Sequence, residues 1–301
     1  MIAQGFDRPD SPRVLSMAHA FSRSSDFVLG GFFDTRAGRA EAAEGKWGVP
    51  PSPRSRDAWL DERWDVVYVA TPDTQHGADL RDALQRRPRG VLMEKPLASD
   101  GAEALELLAH ARELGVVVMA DYPRRWHSGI ARLRASVDAG ALSPPDSAFI
   151  AVSGGALHNL PHTIDLMHSL WGGGWTVERV SCLGELTHLR WCRGSCTFPM
   201  AVLERTSSHY LWEAHFYCAQ GKVELSHSPE VLEWACPAPH PDYHGYNVLT
   251  PVFRVDMEGE PLLGRVLDAL AGSLRDPSAG ARALEREIDS QQLAAAALRW
   301  F

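Results

Sequence analysis

Four apolar runs, at residues 27–34, 65–71, 90–95 and 116–121, alternate with stretches of helical spacing at 36–47, 74–87 and 101–114. Neighbouring parallel strands need a crossover of a dozen or more residues, usually a helix, so this alternation predicts a parallel sheet wrapped by helices. In 101–114, Ala104, Leu107, Leu108 and Ala111 form one apolar stripe, the side that packs on such a sheet. Each crossover returns the chain to the same sheet edge. The residues that follow the strands are therefore expected in one crevice: Asp34; Ala70, Thr71 and Pro72; Glu94, Lys95 and Pro96; Asp121 and Tyr122.

Beyond Tyr122 the pattern changes. A helix at 129–139 and a break at Ser143, Pro144 and Pro145 precede β-like runs at 147–153, 176–183, 196–206, 211–218, 223–226 and 231–236, with helices at 262–275 and 281–301. The fold class expected is α/β, a doubly wound parallel sheet followed by an α+β domain with an open, mostly antiparallel sheet. At 301 residues the chain exceeds the usual size of one core, which places the domains at 1–121 and 122–301. A net charge of -8 with no long basic run argues against nucleic acid as the main partner. Five cysteines without a CxxC pair point to neither a disulfide framework nor a metal site, and suit a reducing cytoplasm. No apolar stretch approaches the ~20 residues that span a bilayer, so no membrane partner is expected.

The chemistry concentrates in two segments. The first is the run from Gly90 into Glu94, Lys95 and Pro96, which delivers a cation and an anion to the carboxyl edge of a sheet. A lysine there can exchange a proton with a substrate hydroxyl if burial depresses its pKa. The second runs from Gly154 and Gly155 through His158, Asn159 and His162 to Asp165, with titratable groups three and four residues apart at a helix start. Asp34 stands where an acidic residue hydrogen-bonds a ribose diol, and Arg36 offers a guanidinium that accepts a 2′-phosphate, so NAD and NADP both remain open. Thr71, Pro72 and His76 are expected to pack on the same cofactor, and Arg124 with Arg125 to bind a polar substrate.

Taken together, Val69-Ala70-Thr71-Pro72, Glu94-Lys95-Pro96 and the glycine pair leading to His162 and Asp165 resemble the glucose-fructose oxidoreductase / inositol dehydrogenase / MocA (Gfo/Idh/MocA) family. The resemblance implies a Rossmann-like NAD(P)-binding domain and an α/β substrate-binding domain whose sheet builds homodimers or homotetramers. It implies an oxidoreductase that moves a hydride between NAD or NADP and a carbinol or carbonyl carbon of a sugar, cyclitol or similar polyol. Lys95 and His162 are then the proton-handling residues, with Asn159 and Asp165 beside the substrate. His158 stands where the family often carries an aspartate, and is expected to share the proton relay. Met1, Ile2 and Ala3 match the end of the glycine-rich pyrophosphate fingerprint, which puts Ala3 at the cofactor and the first β-strand before the chain begins. A mis-set start is the expected cause. A binding or regulatory relative with an impaired cofactor cradle, or an imine reductase, are the alternative readings.

Overall fold

The computed structural model describes residues 7–206, 208–226 and 230–301. The chain divides into two compact units, Met1–Pro123 with Pro261–Gln291, and Arg124–Glu260 with Gln292–Phe301. The division after the parallel sheet falls two residues beyond the expected one. The larger difference is that Pro261–Gln291, expected in the second domain, groups with the first unit.

The first unit opens with α1 (Met17–Arg23), α2 (Arg39–Trp47) and α3 (Arg56–Leu60), followed by β1 (Val66–Val69), α4 (His76–Gln85), β2 (Gly90–Met93), α5 (Gly101–Leu114) and β3 (Val117–Ala120). The strands form a parallel sheet in the order β1-β2-β3. Every residue of β2 is buried, as its unbroken apolar run requires of a central parallel strand. Asp100 caps α5, its carboxylate accepting from the Ala102 N–H at 2.8 Å, and Gly115 ends it with a φ of 69°. Leu80, Leu84, Leu107, Leu108 and Ala111 close over Val91, Met93 and Val118.

The expected strand at 27–34 has no ladder partner among the described residues and is not a strand. Strands exist by pairing, and the centre of this run is a poor candidate for it. A Cβ on Gly30 would lie 2.6 Å from the Trp64 ring, and one on Gly31 would lie 2.4 Å from Ser52 Oγ. The glycines serve to let the Trp64 indole and the Ser52 hydroxyl approach the backbone. Ser52 Oγ also accepts from Phe32 N–H at 3.2 Å.

The second unit contains α6 (Ser128–Asp138), β4 (Pro145–Ser153), α7 (Ala156–Trp171), β5 (Thr176–Leu183), β6 (Leu186–Arg193), β7 (Cys196–Arg205), β8 (Trp212–Cys218), β9 (Gly221–Ser226), β10 (Val231–Pro239) and β11 (Asn247–Asp256). Eight strands form one sheet, β11-β10-β9-β8-β4-β7-β6-β5, antiparallel except where β4 pairs with β7. The strands β6 and β11 were not expected. Along β8, Trp212, Ala214 and Phe216 are buried while Glu213, His215 and Tyr217 point to the other face, the period-two pattern of a sheet with one packed side. Trp191 and Phe198 stack within the packed side at 6.2 Å. The chain returns through α8 (Leu262–Arg275) and α9 (Pro277–Leu298), of which residues to Gln291 count with the first unit.

The loop after α2 is fixed by one carboxylate. Glu44 accepts from Arg54 through both oxygens, at 2.9 and 2.6 Å, and from Ser52 N–H at 2.7 Å. The Arg54 hydrogen bonds lower the Glu44 pKa from 4.5 to about 2. A carboxyl with a depressed folded pKa stabilises above its unfolded value and loses that contribution as pH falls through the folded one. Glu44→Gln is therefore expected to melt roughly 3 °C below the parent at neutral pH. The gap should close between pH 4.5 and about 2, as followed by thermal unfolding at stepped pH.

Candidate active site

The pairs Val69 with Met93 and Met93 with Ala120 stand in register, so the three parallel strands end level. Glu94 N–H donates to Val69 O at 2.9 Å and Asp121 N–H to Met93 O at 2.8 Å, carrying the ladder one residue further. Ala70, Glu94, Lys95 and Asp121 thus leave the sheet at one edge. Lys95 is only 7% exposed there. Glu94 accepts from the Tyr68 hydroxyl at 2.9 Å. Burial keeps the Glu94 carboxyl above the usual carboxylate range, against the opposing pull of the Tyr68 hydrogen bond and of the Lys95 and His76 charges. Burial, with the Asp121 and Glu94 carboxylates beside it, raises the Tyr68 phenol well above its ordinary value. Tyr68 therefore stays protonated and remains a donor to Glu94.

The first turn of α4 accounts for two residues expected at a cofactor. The Thr71 hydroxyl, expected beside a ribose, donates instead to Asp79 Oδ2 at 2.5 Å, and Asp79 is also ion-paired with Arg56. His76 is fully buried, with Nδ1 2.5 Å from Pro96 O and Nε2 2.8 Å from Thr71 O. With both ring nitrogens on backbone carbonyls, the imidazole has no polar atom left for a cofactor. Asp34 Oδ1 accepts from Arg36 N–H at 2.8 Å, closing the turn ahead of α2, whose own cap is Gly38. Arg36 and Pro72 are exposed, and Asp34, Ala70 and Pro96 are partly so. Ala3 lies outside the described residues.

These residues fit a nicotinamide dinucleotide. Open parallel sheets bind such groups outside the carboxyl ends of their strands. That edge here offers accessible backbone from Ala70 to Pro72, and Asp34 and Arg36 earlier in the chain supply an acid and a base of the kind a ribose or its phosphate requires.

In the second unit, Gly154 and Gly155 have φ of 75° and 99°, which admit glycine and turn β4 into α7. Glu204 accepts from Ala156 N–H at 3.0 Å, a carboxylate at the positive end of α7. His158 and His162 follow one helical turn apart, the first exposed, the second half-buried with its ring edge-on to Trp212 at 6.4 Å. Asn159, expected at a substrate, is 2% exposed, donates from Nδ2 to Ser153 O at 2.6 Å and accepts from the Tyr210 hydroxyl at 3.2 Å. Asp165, also expected there, is 2% exposed and bonds Arg125 through both oxygens. Arg124 is ion-paired with Glu230, and its guanidinium lies 4.5 Å over the Trp212 ring. The second segment's residues thus share one helix, but Asn159 and Asp165 act as internal fasteners.

Tyr68 and Asp79 escaped the reading of the sequence, and Arg125, grouped there with Arg124 as a substrate contact, holds Asp165 instead. A signal existed for Tyr68, a hydroxyl between Val67 and Val69 in an otherwise apolar strand. Nothing in residue order tells Arg125, which holds Asp165, from Arg124, which does not.

Comparison with known proteins bears on the first unit most. Residues 14–122 match the family model described as an oxidoreductase family with an NAD-binding Rossmann fold. This segment belongs to the Gfo/Idh/MocA oxidoreductase family. Inositol 2-dehydrogenase of Mycolicibacterium smegmatis is 34% identical over 119 residues, 39% of this chain and 34% of that one. The dTDP-3,4-didehydro-2,6-dideoxy-alpha-D-glucose 3-reductase of Streptomyces violaceoruber is 40% identical over 87 residues, 29% of this chain and 25% of its own. The matches therefore span about a third of the first of these curated relatives and a quarter of the second. The fold extends further: the 3-ketoreductase of Actinomadura kijaniata, crystallised with NADP and TDP-benzene, superposes with a TM-score of 0.73 at 16% identity, covering 94% of this chain and 92% of its own. The expected order, a Rossmann-like parallel sheet and then a mostly antiparallel one, is thus a fold shared with that structure.

The buried Arg125–Asp165 pair gives a direct test of the fastener role. Removing one member of a buried pair leaves the other charged without its partner, at a cost of about 3–5 kcal/mol. Asp165→Asn is expected to lower the urea midpoint accordingly, whereas Arg125→Met with Asp165→Leu should lose less than Asp165→Asn alone. A midpoint unchanged in Asp165→Asn, with impaired turnover, would return Asp165 to the substrate.

Proposed function

We propose that this chain is an NAD- or NADP-dependent oxidoreductase that transfers a hydride between nicotinamide and a carbinol or carbonyl carbon of a sugar, cyclitol or similar polyol. The first unit binds the dinucleotide, through Asp34 or Arg36 at the ribose and the backbone from Ala70 to Pro72. The second binds the substrate. Bound nicotinamide provides the hydride chemistry. What the chain's residues add is a proton transfer at the substrate oxygen: Lys95 Nζ takes the hydroxyl proton during oxidation and returns it during reduction, and His162 is the second proton-handling residue.

The observation that carries this reading is Lys95 itself. The chain holds 30 Lys plus Arg, and Lys46, Lys95 and Lys222 are its only lysines. Arginine keeps its proton under all ordinary conditions, whereas a lysine can give it up. A chain that uses arginine almost throughout but keeps a lysine, 7% exposed, at the carboxyl edge of a parallel sheet has put a proton-exchanging cation where ligands bind. The names of the relatives, inositol dehydrogenases and a deoxysugar reductase, agree with a polyol or sugar substrate.

Two further parts belong to the proposal. No helix among the described residues is long and apolar enough to cross a membrane, and a nicotinamide-dependent activity goes with a cytoplasmic location. The unpacked face of the large sheet carries exposed Val180, Leu183 and Tyr217, which favours a homodimer or homotetramer joined there. Sedimentation of the purified chain tests this.

The deciding experiment has two arms. Titrating the purified chain with NADH and NADPH, followed by nicotinamide fluorescence, should give saturable binding of at least one. Lys95→Ala should retain that binding but turn over inositols and sugars about 10³-fold more slowly. His162→Ala should be slowed as well. Binding of neither nucleotide would favour a regulatory relative. Turnover of imines but not polyols would favour an imine reductase.

A further inference from the structure

We infer that His76 is the positioning residue of the site. It clamps the Glu94-Lys95-Pro96 loop to the first turn of α4, and so sets where the Lys95 ammonium stands. The inference rests on the proton-transfer role given to Lys95 above.

The geometry is specific to one side chain. The imidazole lies between two loops that leave neighbouring strands, with Nδ1 2.5 Å from Pro96 O and Nε2 2.8 Å from Thr71 O. Both carbonyls can only accept and a neutral ring carries one N–H, so the Pro96 bond needs the proton on Nδ1, the Thr71 bond needs it on Nε2, and both form together only in the imidazolium. The ring is fully buried, and an unanswered carbonyl in that setting is costly. The two grips are not equivalent. Thr71 has a second anchor, its hydroxyl on Asp79 at 2.5 Å, with Asp79 held in turn by Arg56. The loop after β1 therefore stays in place without His76. What His76 alone contributes from α4 is the hold on the Pro96 carbonyl, next to Lys95. Glu94, on the other side of Lys95, is held by Tyr68 at 2.9 Å. The lysine thus sits between two fastened neighbours, and the catalytic demand is on its location: a misplacement of about 1 Å in a reacting group can cost about 10²-fold in rate.

The two nitrogens can be tested separately. In His76→Asn the amide nitrogen falls near the place of Nδ1 and can keep the Pro96 bond. In His76→Gln it falls near the place of Nε2 and can keep only the Thr71 bond. His76→Phe keeps the ring and neither bond.

The expected results are a kcat lowered about 30-fold in His76→Phe and His76→Gln, recovered to within about fivefold of the parent in His76→Asn, with nucleotide dissociation constants within about threefold throughout. A readout that needs no activity runs alongside: acetylation of the folded protein, followed by mass spectrometry, with Lys46 and Lys222 as internal references in every sample. Lys95 should be acetylated at least about fivefold faster in His76→Phe and His76→Gln, and at close to the parent rate in His76→Asn, with the other two lysines unchanged. Equal behaviour of His76→Asn and His76→Gln in both assays would overturn the inference, as would an unchanged Lys95 rate in a cooperatively folded His76→Phe. If His76→Phe does not fold, the Asn and Gln pair decides alone. If the parent binds no nicotinamide nucleotide, the functional reading fails, while the acetylation pattern still judges the clamp.

Discussion

An ammonium is expensive to hold away from water, and Lys95 is held 7% exposed at the end of a strand buried on both faces. The neighbouring structure answers that cost. Glu94 supplies the opposite charge, Tyr68 fastens Glu94, and α4 holds the Pro96 carbonyl beyond. Three strands ending in register make this possible, since their exits all leave the sheet at one level. The sheet, the loop fasteners and the second-unit helix with His158 and His162 can each be read as serving the placement of a few polar groups.

Fastening recurs as the dominant use of polar side chains here. Asp79, His76, Asp165, Asn159 and Glu44 all bind backbone or a side chain of their own unit. Two of them, Asn159 and Asp165, stand in the second of the two segments where the sequence promises ligand contacts, and His76 stands among the residues expected at the cofactor. A site residue type at a site position is therefore compatible with either part, substrate contact or support. Asp34 retains one carboxylate oxygen beyond its turn bond, Lys95 sits at the sheet edge, and His162 remains half-buried beside Trp212. These three stay candidates for direct contact.

The limits of legibility follow the same physics. Gly101–Leu114 and Leu262–Arg275 are found at their expected bounds, because a stripe of apolar residues reports burial; Thr176–Leu183 is also found at its bounds, although only Val177 in it is buried. The run at 27–34 misled because its apolar residues looked like a strand while its glycines were accommodating Trp64 and Ser52. In β11, mostly exposed and carrying Pro251, the lack of a buried face left no pattern to read. The grouping of α8 with the first unit was out of reach, since an amphipathic stripe shows that a helix packs but not on which core. The chemistry of Glu94, Lys95 and His162 was visible as motif. Which carbonyls His76 would take was not, because backbone acceptors leave no trace in residue identity.

The central claim is that Lys95 exchanges a proton during turnover rather than merely filling its place. Chemical rescue tests it most directly: Lys95→Ala assayed for polyol oxidation with added small primary amines of graded basicity. The account predicts activity restored in proportion to amine concentration and varying with amine basicity, at unchanged nucleotide affinity. Full activity of Lys95→Ala without amine, or a loss that no amine restores and that parallels lost nucleotide binding, would contradict it.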